Sequence, residues 1–347
     1  MFHVMADTFS WAGWRHEAAE RVFPACDRAS RRVYQEVLSQ LDHEPPRFLL
    51  IESIWENWGR QKRKIQKQAE CIGQMVRDYR EHGIPVVFWS KEDPPHFDRF
   101  LRWATECDLV LTTDANCVPR YREAGCRSVH PMTFPVQPAI HKGYFPQTKG
   151  VCFAGSWNKH HPTRLEGVGN LIDPLKKGGV DIFSRMGSWP EEYKHLLVGS
   201  YPYEELLRKY SAYRIGLSIS SVRTSPTMFP RRIVEMIGAG MLVLSDRCQG
   251  VASLFPEIPQ STSPEQTAQI VQYYLHHEPE RAELVGAIRD KILAAHTYRH
   301  RVEYIESLLE ERKRSCAGGF RVSHPAASDA LYVPADQESS CDMLKVS

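Results

Sequence analysis

The stretch from Ser225 to Asp246, Ser-Pro-Thr-Met-Phe-Pro-Arg-Arg-Ile-Val-Glu-Met-Ile-Gly-Ala-Gly-Met-Leu-Val-Leu-Ser-Asp, holds the densest chemistry in the chain. It predicts a loop, a helix opening at Pro230, a stop at Gly238 and Gly240, and a buried strand over Met241 to Leu244. Proline suits the first helical turn, where an N–H has no partner, and glycine takes the left-handed turn that ends a helix. The loop carries Ser225, Thr227 and Met228, and the helix start carries Arg231 and Arg232. Free backbone N–H groups, the positive end of a helix and guanidinium forks are the groups that hold phosphate oxygens. One turn further in, Glu235 offers a carboxylate to which two ribose hydroxyls could donate. The alternative is an ordinary helix and strand whose arginines face water.

Polar residues also follow each apolar run of the first half. Phe2 to Met5 leads into Asp7 and Thr8, Phe48 to Ile51 into Glu52 and Ser53, and Leu109 to Thr112 into Thr113 and Asp114. Pro85 to Trp89 leads into Ser90, Lys91, Glu92, Asp93 and His96. Carboxylates at these ends suit a polyhydroxylated ligand, since each accepts more than one hydroxyl proton. Asp7, Glu92, Asp93 and His96 are the candidates for a catalytic base by position. Asp93 and Asp114 also precede helical segments and could serve as N-caps instead. In the second half the apolar run Gly150 to Ala154 ends in Gly155 and Ser156, where a glycine turn lets a ligand approach backbone, and Arg185 follows the run Val180 to Phe183.

The elements that must position these residues alternate between strand and helix. Helical segments are expected within Trp14 to Gln40, over Asn57 to His82 with Ile65, Ala69, Ile72, Met75, Val76 and Tyr79 at helical spacing, over Pro95 to Glu106 and over Val118 to Ala124. Such alternation predicts open parallel sheets covered by helices, with ligands beyond the carboxyl ends of the strands. Prolines at 131, 135, 138 and 146 mark a linker, after which the alternation starts again. The expected layout is a first domain over 1–140, a second over 147–297, a closing amphipathic helix over 298–314 and a disordered tail over 315–347.

With 347 residues, two cores are the default. A net charge of +2 gives no field for nucleic acid or an anionic membrane, and no apolar run is long enough to span one, so a cytoplasmic chain without nucleic-acid partner or transmembrane segment is expected. The nine cysteines are scattered without a Cys-x-x-Cys pair, which fits reduced structural thiols. His296 and His300 have helical spacing and are read as a solvated helix face, not a zinc site. No Gly-x-Gly-x-x-Gly follows a strand, no phosphate-loop lysine motif occurs, and no Asp-x-Asp is present. Any diphosphate would then be neutralised by arginine, lysine and backbone, with no metal and no cofactor.

The runs at 151–157, 225–240 and 296–301 resemble the glycosyltransferase-like domain of the spore maturation protein CgeB family, and those at 50–55, 85–94 and 111–114 resemble the partner domain that precedes it. The resemblance implies an α/β, GT-B architecture: two Rossmann-like domains facing across a cleft, the acceptor on the first, the sugar nucleotide on the second, and a last helix crossing back. It implies a metal-independent glycosyltransferase moving a sugar from a nucleotide diphosphate to a glycan, peptide or small-molecule acceptor. It places Glu235 at the second of two glutamates of related retaining transferases, on the ribose, and Met228 in the stretch where the first would fall. A sugar-nucleotide-binding assembly protein without transfer activity, or a sugar-nucleotide epimerase of the same fold, are the alternatives.

Overall fold

The computed structural model describes residues 1–54 and 62–317. The expected helix start at Asn57 and the tail beyond 317 lie outside the described residues.

The first domain contains β1 (Phe2–Met5), α1 (Thr8–Trp14), β2 (Ala19–Arg21), α2 (Arg28–Gln40), β3 (Leu49–Glu52), α3 (Lys62–Glu81), β4 (Val86–Ser90), α4 (Phe97–Ala104), β5 (Leu109–Thr112), α5 (Val118–Glu123) and β6 (Val129–Pro131). Its six strands are all parallel, in the order β2-β1-β3-β4-β5-β6. Each of β1, β3, β4 and β5 is buried along its whole length, which is what helices on both faces require. On one face Ile72, Met75, Val76 and Tyr79 of α3 meet Ile51, Val86 and Phe88.

The second domain contains β7 (Lys149–Ala154), α6 (Pro162–Leu171), β8 (Val180–Phe183), β9 (Leu197–Gly199), α7 (Tyr203–Tyr210), β10 (Tyr213–Ser218), α8 (Arg232–Gly238), β11 (Leu242–Asp246), α9 (Gln249–Leu254), β12 (Gln260–Ser261), α10 (Pro264–His276) and α11 (Glu278–Ala295). It repeats the plan with the strand order β12-β11-β10-β7-β8-β9, again parallel. Gly216 lets α8 lie close on β10: a Cβ there would stand 2.3 Å from the Met236 sulfur.

The last helix, α12 (Tyr298–Ala317), returns to the first domain. Tyr298, Val302, Ile305, Leu308 and Leu309 share a core with Phe2, Val4, Phe48 and Leu50. Glu306 pairs with Arg47, and Arg312 donates to Asp108 at 2.9 Å. Gly13 of α1 sits against the Tyr298 ring, where a Cβ would be 2.2 Å from it. The two crossings between domains are joined to each other: Val136 N–H donates to the His296 carbonyl at 2.8 Å, and Tyr298 N–H to the Val136 carbonyl at 3.1 Å. Arg301, fully buried, donates to the Thr133 carbonyl and hydroxyl, at 2.9 and 2.8 Å.

Two local expectations change and one strand is added. The helix expected at Pro230 begins at Arg232, because Pro230 stays in the turn whose carbonyl accepts the Ile233 N–H at 3.0 Å. Between Trp14 and Gln40 the expected helix forms as α2, and the strand β2, paired with β1, precedes it. His296 is not solvated: it is buried before α12, with its Nδ1 3.0 Å from Arg301 Nη2.

Candidate active site

At the carboxyl ends of β1, β3 and β4 a buried cluster forms around Lys91. Its ammonium, which has three protons to donate, reaches Asp7 Oδ2 at 2.8 Å, Ser10 Oγ at 2.8 Å and Glu52 Oε2 at 2.6 Å. Glu52 Oε1 accepts the Trp14 indole N–H at 2.7 Å, and Asp7 Oδ1 caps α1 by accepting Ser10 N–H at 2.7 Å. Burial alone would raise the Asp7 carboxyl, but Lys91 and Arg231 outweigh it and hold it well below the usual range. Burial pushes Glu52 up, against the pull of Lys91. Asp7 is therefore ionised and has hydrogen bonds on both oxygens, which makes it a weak proton acceptor.

Asp93 is fully buried, and it accepts from Thr112 Oγ1 at 2.6 Å and from the Tyr121 hydroxyl at 3.2 and 3.1 Å. It caps no helix. Burial raises its carboxyl to about 6, with the Thr112 bond opposing. Glu92 and His96 are part-exposed, and the Glu92 carbonyl accepts His96 N–H at 3.0 Å. Asp114 does cap the turn that follows it, accepting Asn116 N–H at 3.0 Å.

The loop after β10 docks on the first domain. Ser225 Oγ donates to Asp114 Oδ1 at 2.6 Å, Thr227 Oγ1 donates to the Thr113 carbonyl at 2.9 Å, and Ala115 N–H donates to Thr227 Oγ1 at 2.9 Å. Met228 N–H and Thr227 N–H turn inward to Ser225 Oγ, at 2.9 and 3.3 Å. Ser225, Thr227 and the Met228 backbone thus hold two strand-end faces together instead of presenting open donors, because Asp114 and Thr113 supply the acceptors that the sequence left unassigned.

The arginine pair divides. Arg231 Nε donates to Glu235 Oε1 at 2.8 Å, and its guanidinium lies 4.8 Å from the Phe9 ring of α1 and 5.3 Å from the Tyr203 ring of α7. Glu235 is buried, and the Tyr203 and Tyr210 hydroxyls donate to its Oε1 and Oε2 at 2.5 and 3.3 Å. Burial would raise this carboxyl; the Arg231 charge outweighs it and lowers it. Since Gln137 N–H donates to His141 Nδ1 at 2.8 Å, the imidazole proton sits on Nε2, which lies 2.9 Å from the Tyr203 oxygen.

The Arg232 charge bears on Arg164 of α6 as well as on Glu235. Burial first, and then the Arg232 charge, lower the Arg164 guanidinium below its usual value, with Asp246 opposing. Neither forms an ion pair among the described residues, since Asp246 is taken by Arg223 at 3.1 Å and by Ser220 N–H at 2.9 Å. Among the described residues Arg164 has only long contacts, 3.5 Å to the Ile219 carbonyl, 3.5 Å to Ser221 Oγ and 3.4 Å to the Ser156 carbonyl. Gly155 and Ser156 follow β7 beside it, and a Cβ on Gly155 would meet the Phe153 ring at 2.6 Å. Arg185, past β8, is exposed. Among the described residues no three His, Cys, Asp or Glu side chains gather as a metal site.

Residues 164–307 match the glycosyl transferase-like family. The structure of Anabaena HepE in complex with UDP superposes with a TM-score of 0.50, at 14% identity, over 91% of each chain. The architecture is GT-B. A second structural likeness is the trehalose-6-phosphate phosphatase N-terminal domain of Candida albicans, with a TM-score of 0.50 and 10% identity over 83% of this chain and 77% of that one. In sequence, Spore protein CgeB of Bacillus subtilis (strain 168) is 22% identical over 246 residues, 62% of this chain and 72% of its own. The GT-B frame gives the contacts above their place: Ser225 on Asp114 and Phe9 against Tyr203, 5.1 Å apart, bring the strand ends of one sheet to those of the other.

Sequence reasoning did not single out Arg164, His141 or Tyr203, and it named Lys91 only as a strand-end residue. Arg164 stands just after a proline-led helix start, Pro162, beyond the Gly155 turn, which is a signal that could have found it. Nothing local marks His141 or Tyr203, whose roles come from tertiary contact across more than sixty positions of chain.

Proposed function

We propose that this GT-B chain transfers a sugar from a nucleotide diphosphate to a hydroxyl-bearing acceptor, without a metal ion, in the cytoplasm. The observation that carries the reading is Arg164 beside the Gly155 turn, at the strand ends of the glycosyl transferase-like domain: it has long contacts and no ion pair among the described residues, and the like charge of Arg232 bears on it. Placing like charges together costs stability unless an anion joins them, and a diphosphate leaving group is such an anion. Breaking the sugar to phosphate bond moves negative charge onto that group, so donors fixed beforehand lower the barrier, about 3–4 kcal/mol for one well-placed group by analogy with oxyanion holes. The likeness to HepE, solved with UDP, supports a nucleotide in this domain. Glu235 is the ribose ligand in this reading: Oε2 accepts one hydrogen bond, from Tyr210, and has lone-pair capacity for another.

On the acceptor side, Asp7 and Asp93 have both oxygens engaged. Glu92 and His96, both part-exposed at the same strand end, are the groups proposed to take a hydroxyl proton if the reaction inverts. A panel of nucleotide sugars, with and without hydroxyl acceptors, tests the reading. Release of nucleoside diphosphate supports it; a changed sugar on an intact nucleotide would mean an epimerase, and binding without turnover an assembly protein.

A further inference from the structure

We propose that Arg231 is a positioning residue that couples the two domains by fixing Glu235 against the first, and that it is not a phosphate ligand. The inference rests on the reading of Glu235 as the ribose ligand. Arg231 donates to Glu235 Oε1 at 2.8 Å while its guanidinium lies against Phe9 of one domain and Tyr203 of the other, 4.8 and 5.3 Å from rings that themselves meet edge to face at 5.1 Å. Arg15 and Glu204 pair at 2.9 Å on the same two helices. Behind Phe9, Asp7 opens the Lys91 and Glu52 cluster. Lys91 thus holds Glu52 and Asp7 together under the first sheet's strand ends, and the charge of Arg231, paired with Glu235, also lowers the Asp7 carboxyl across the seam. With Nε committed to Glu235 and the guanidinium set against two rings at the domain seam, Arg231 is oriented by the protein itself, whereas Arg232, its neighbour in sequence, forms no ion pair among the described residues.

The two roles separate by ligand. A phosphate ligand contributes to binding of UDP and not of uridine; a residue that orients the ribose carboxylate contributes to both alike. We expect Arg231→Met to weaken UDP and uridine by the same factor, about tenfold, the scale of one lost charge-assisted hydrogen bond. Arg232→Met should weaken UDP and leave uridine unchanged. Loss of UDP affinity alone in Arg231→Met overturns the proposal. A second measurement stands apart from nucleotide binding, so that wild-type protein binding neither ligand would remove the reading of Glu235 and still leave the coupling to be decided. Asp7→Asn and Glu235→Gln are combined in a denaturant-unfolding cycle, with Tyr203→Phe replacing Glu235→Gln if that variant does not fold. The pair should be non-additive by about threefold or more in the unfolding constant with Arg231 present, and additive in the Arg231→Met background. Additivity in both backgrounds refutes the coupling.

Discussion

Replacing Arg164 by methionine should abolish tight nucleotide binding while leaving the fold as stable as before. Its contacts within the protein, 3.4 to 3.5 Å long, are at the limit of hydrogen bonding and little is lost with them. Removing one of two like charges that are partly exposed returns about 0.2–1 kcal/mol. The methionine keeps the aliphatic body in place, so the net change in unfolding free energy should stay within about 1 kcal/mol. Binding is another matter. A hydrogen bond to a charged group contributes about 1.5–3 kcal/mol, which is about 10- to 150-fold in the dissociation constant of UDP. Calorimetry with UDP and with uridine measures the loss, and thermal unfolding with and without UDP measures the stability. Free variant should melt at or above the wild-type temperature and lose the shift that UDP gives. A variant that melts several degrees lower and binds UDP undiminished would refute the assignment, since Arg164 would then be a structural side chain.

Nucleotide release in the presence of EDTA should match that without it; loss that magnesium or manganese restores would mean the guanidiniums do not act alone on the leaving group. Asp93 gives a pH signature: its carboxyl is raised from 3.8 to about 6, so the stability it contributes is complete below 3.8 and is lost as pH rises through about 6. About two pH units at 1.36 kcal/mol each make this at most about 3 kcal/mol. Urea unfolding from pH 4.5 to 7.5 should show Asp93→Asn gaining on wild type by up to that amount, and parallel curves would contradict the shift. Cutting the chain after residue 297 removes five core side chains of α12, Tyr298, Val302, Ile305, Leu308 and Leu309. At about 1.5–3 kcal/mol each that is of the order of a whole domain's stability, so the first domain should fail to fold cooperatively by circular dichroism.

The paired parallel sheets were legible because fully buried strands read as unbroken apolar runs, as in Val86 to Trp89, and helices between them repeat at helical spacing, as in Ile72, Met75, Val76 and Tyr79. The short edge strands were not: Ala19–Arg21, Leu197–Gly199 and Gln260–Ser261 have two or three residues and carry no periodicity of their own. Strand-end positions could be named from sequence, since a polar residue after an apolar run must lie there. What each does there depends on partners far along the chain. Asp7 and Asp93 look alike in sequence, yet one is held ionised by Lys91 and the other is raised toward neutral pH by burial. Likewise Arg231 and Arg232, adjacent in the chain, turn to different neighbours because a helical step of one residue rotates a side chain by about 100°.

The return of α12 to the first domain has a further consequence for assembly. The helix is continuous with the second domain through Thr297, yet its apolar face completes the core beneath Phe2 and Phe48. A chain that opens at the paired crossings of Val136 and His296 carries its own missing piece away with the wrong half, and a second open copy presents the same vacancy and the same spare helix. Concentrated protein under mild destabilisation should therefore exchange α12 reciprocally into intertwined dimers, each core complete and each assembled from two polypeptides.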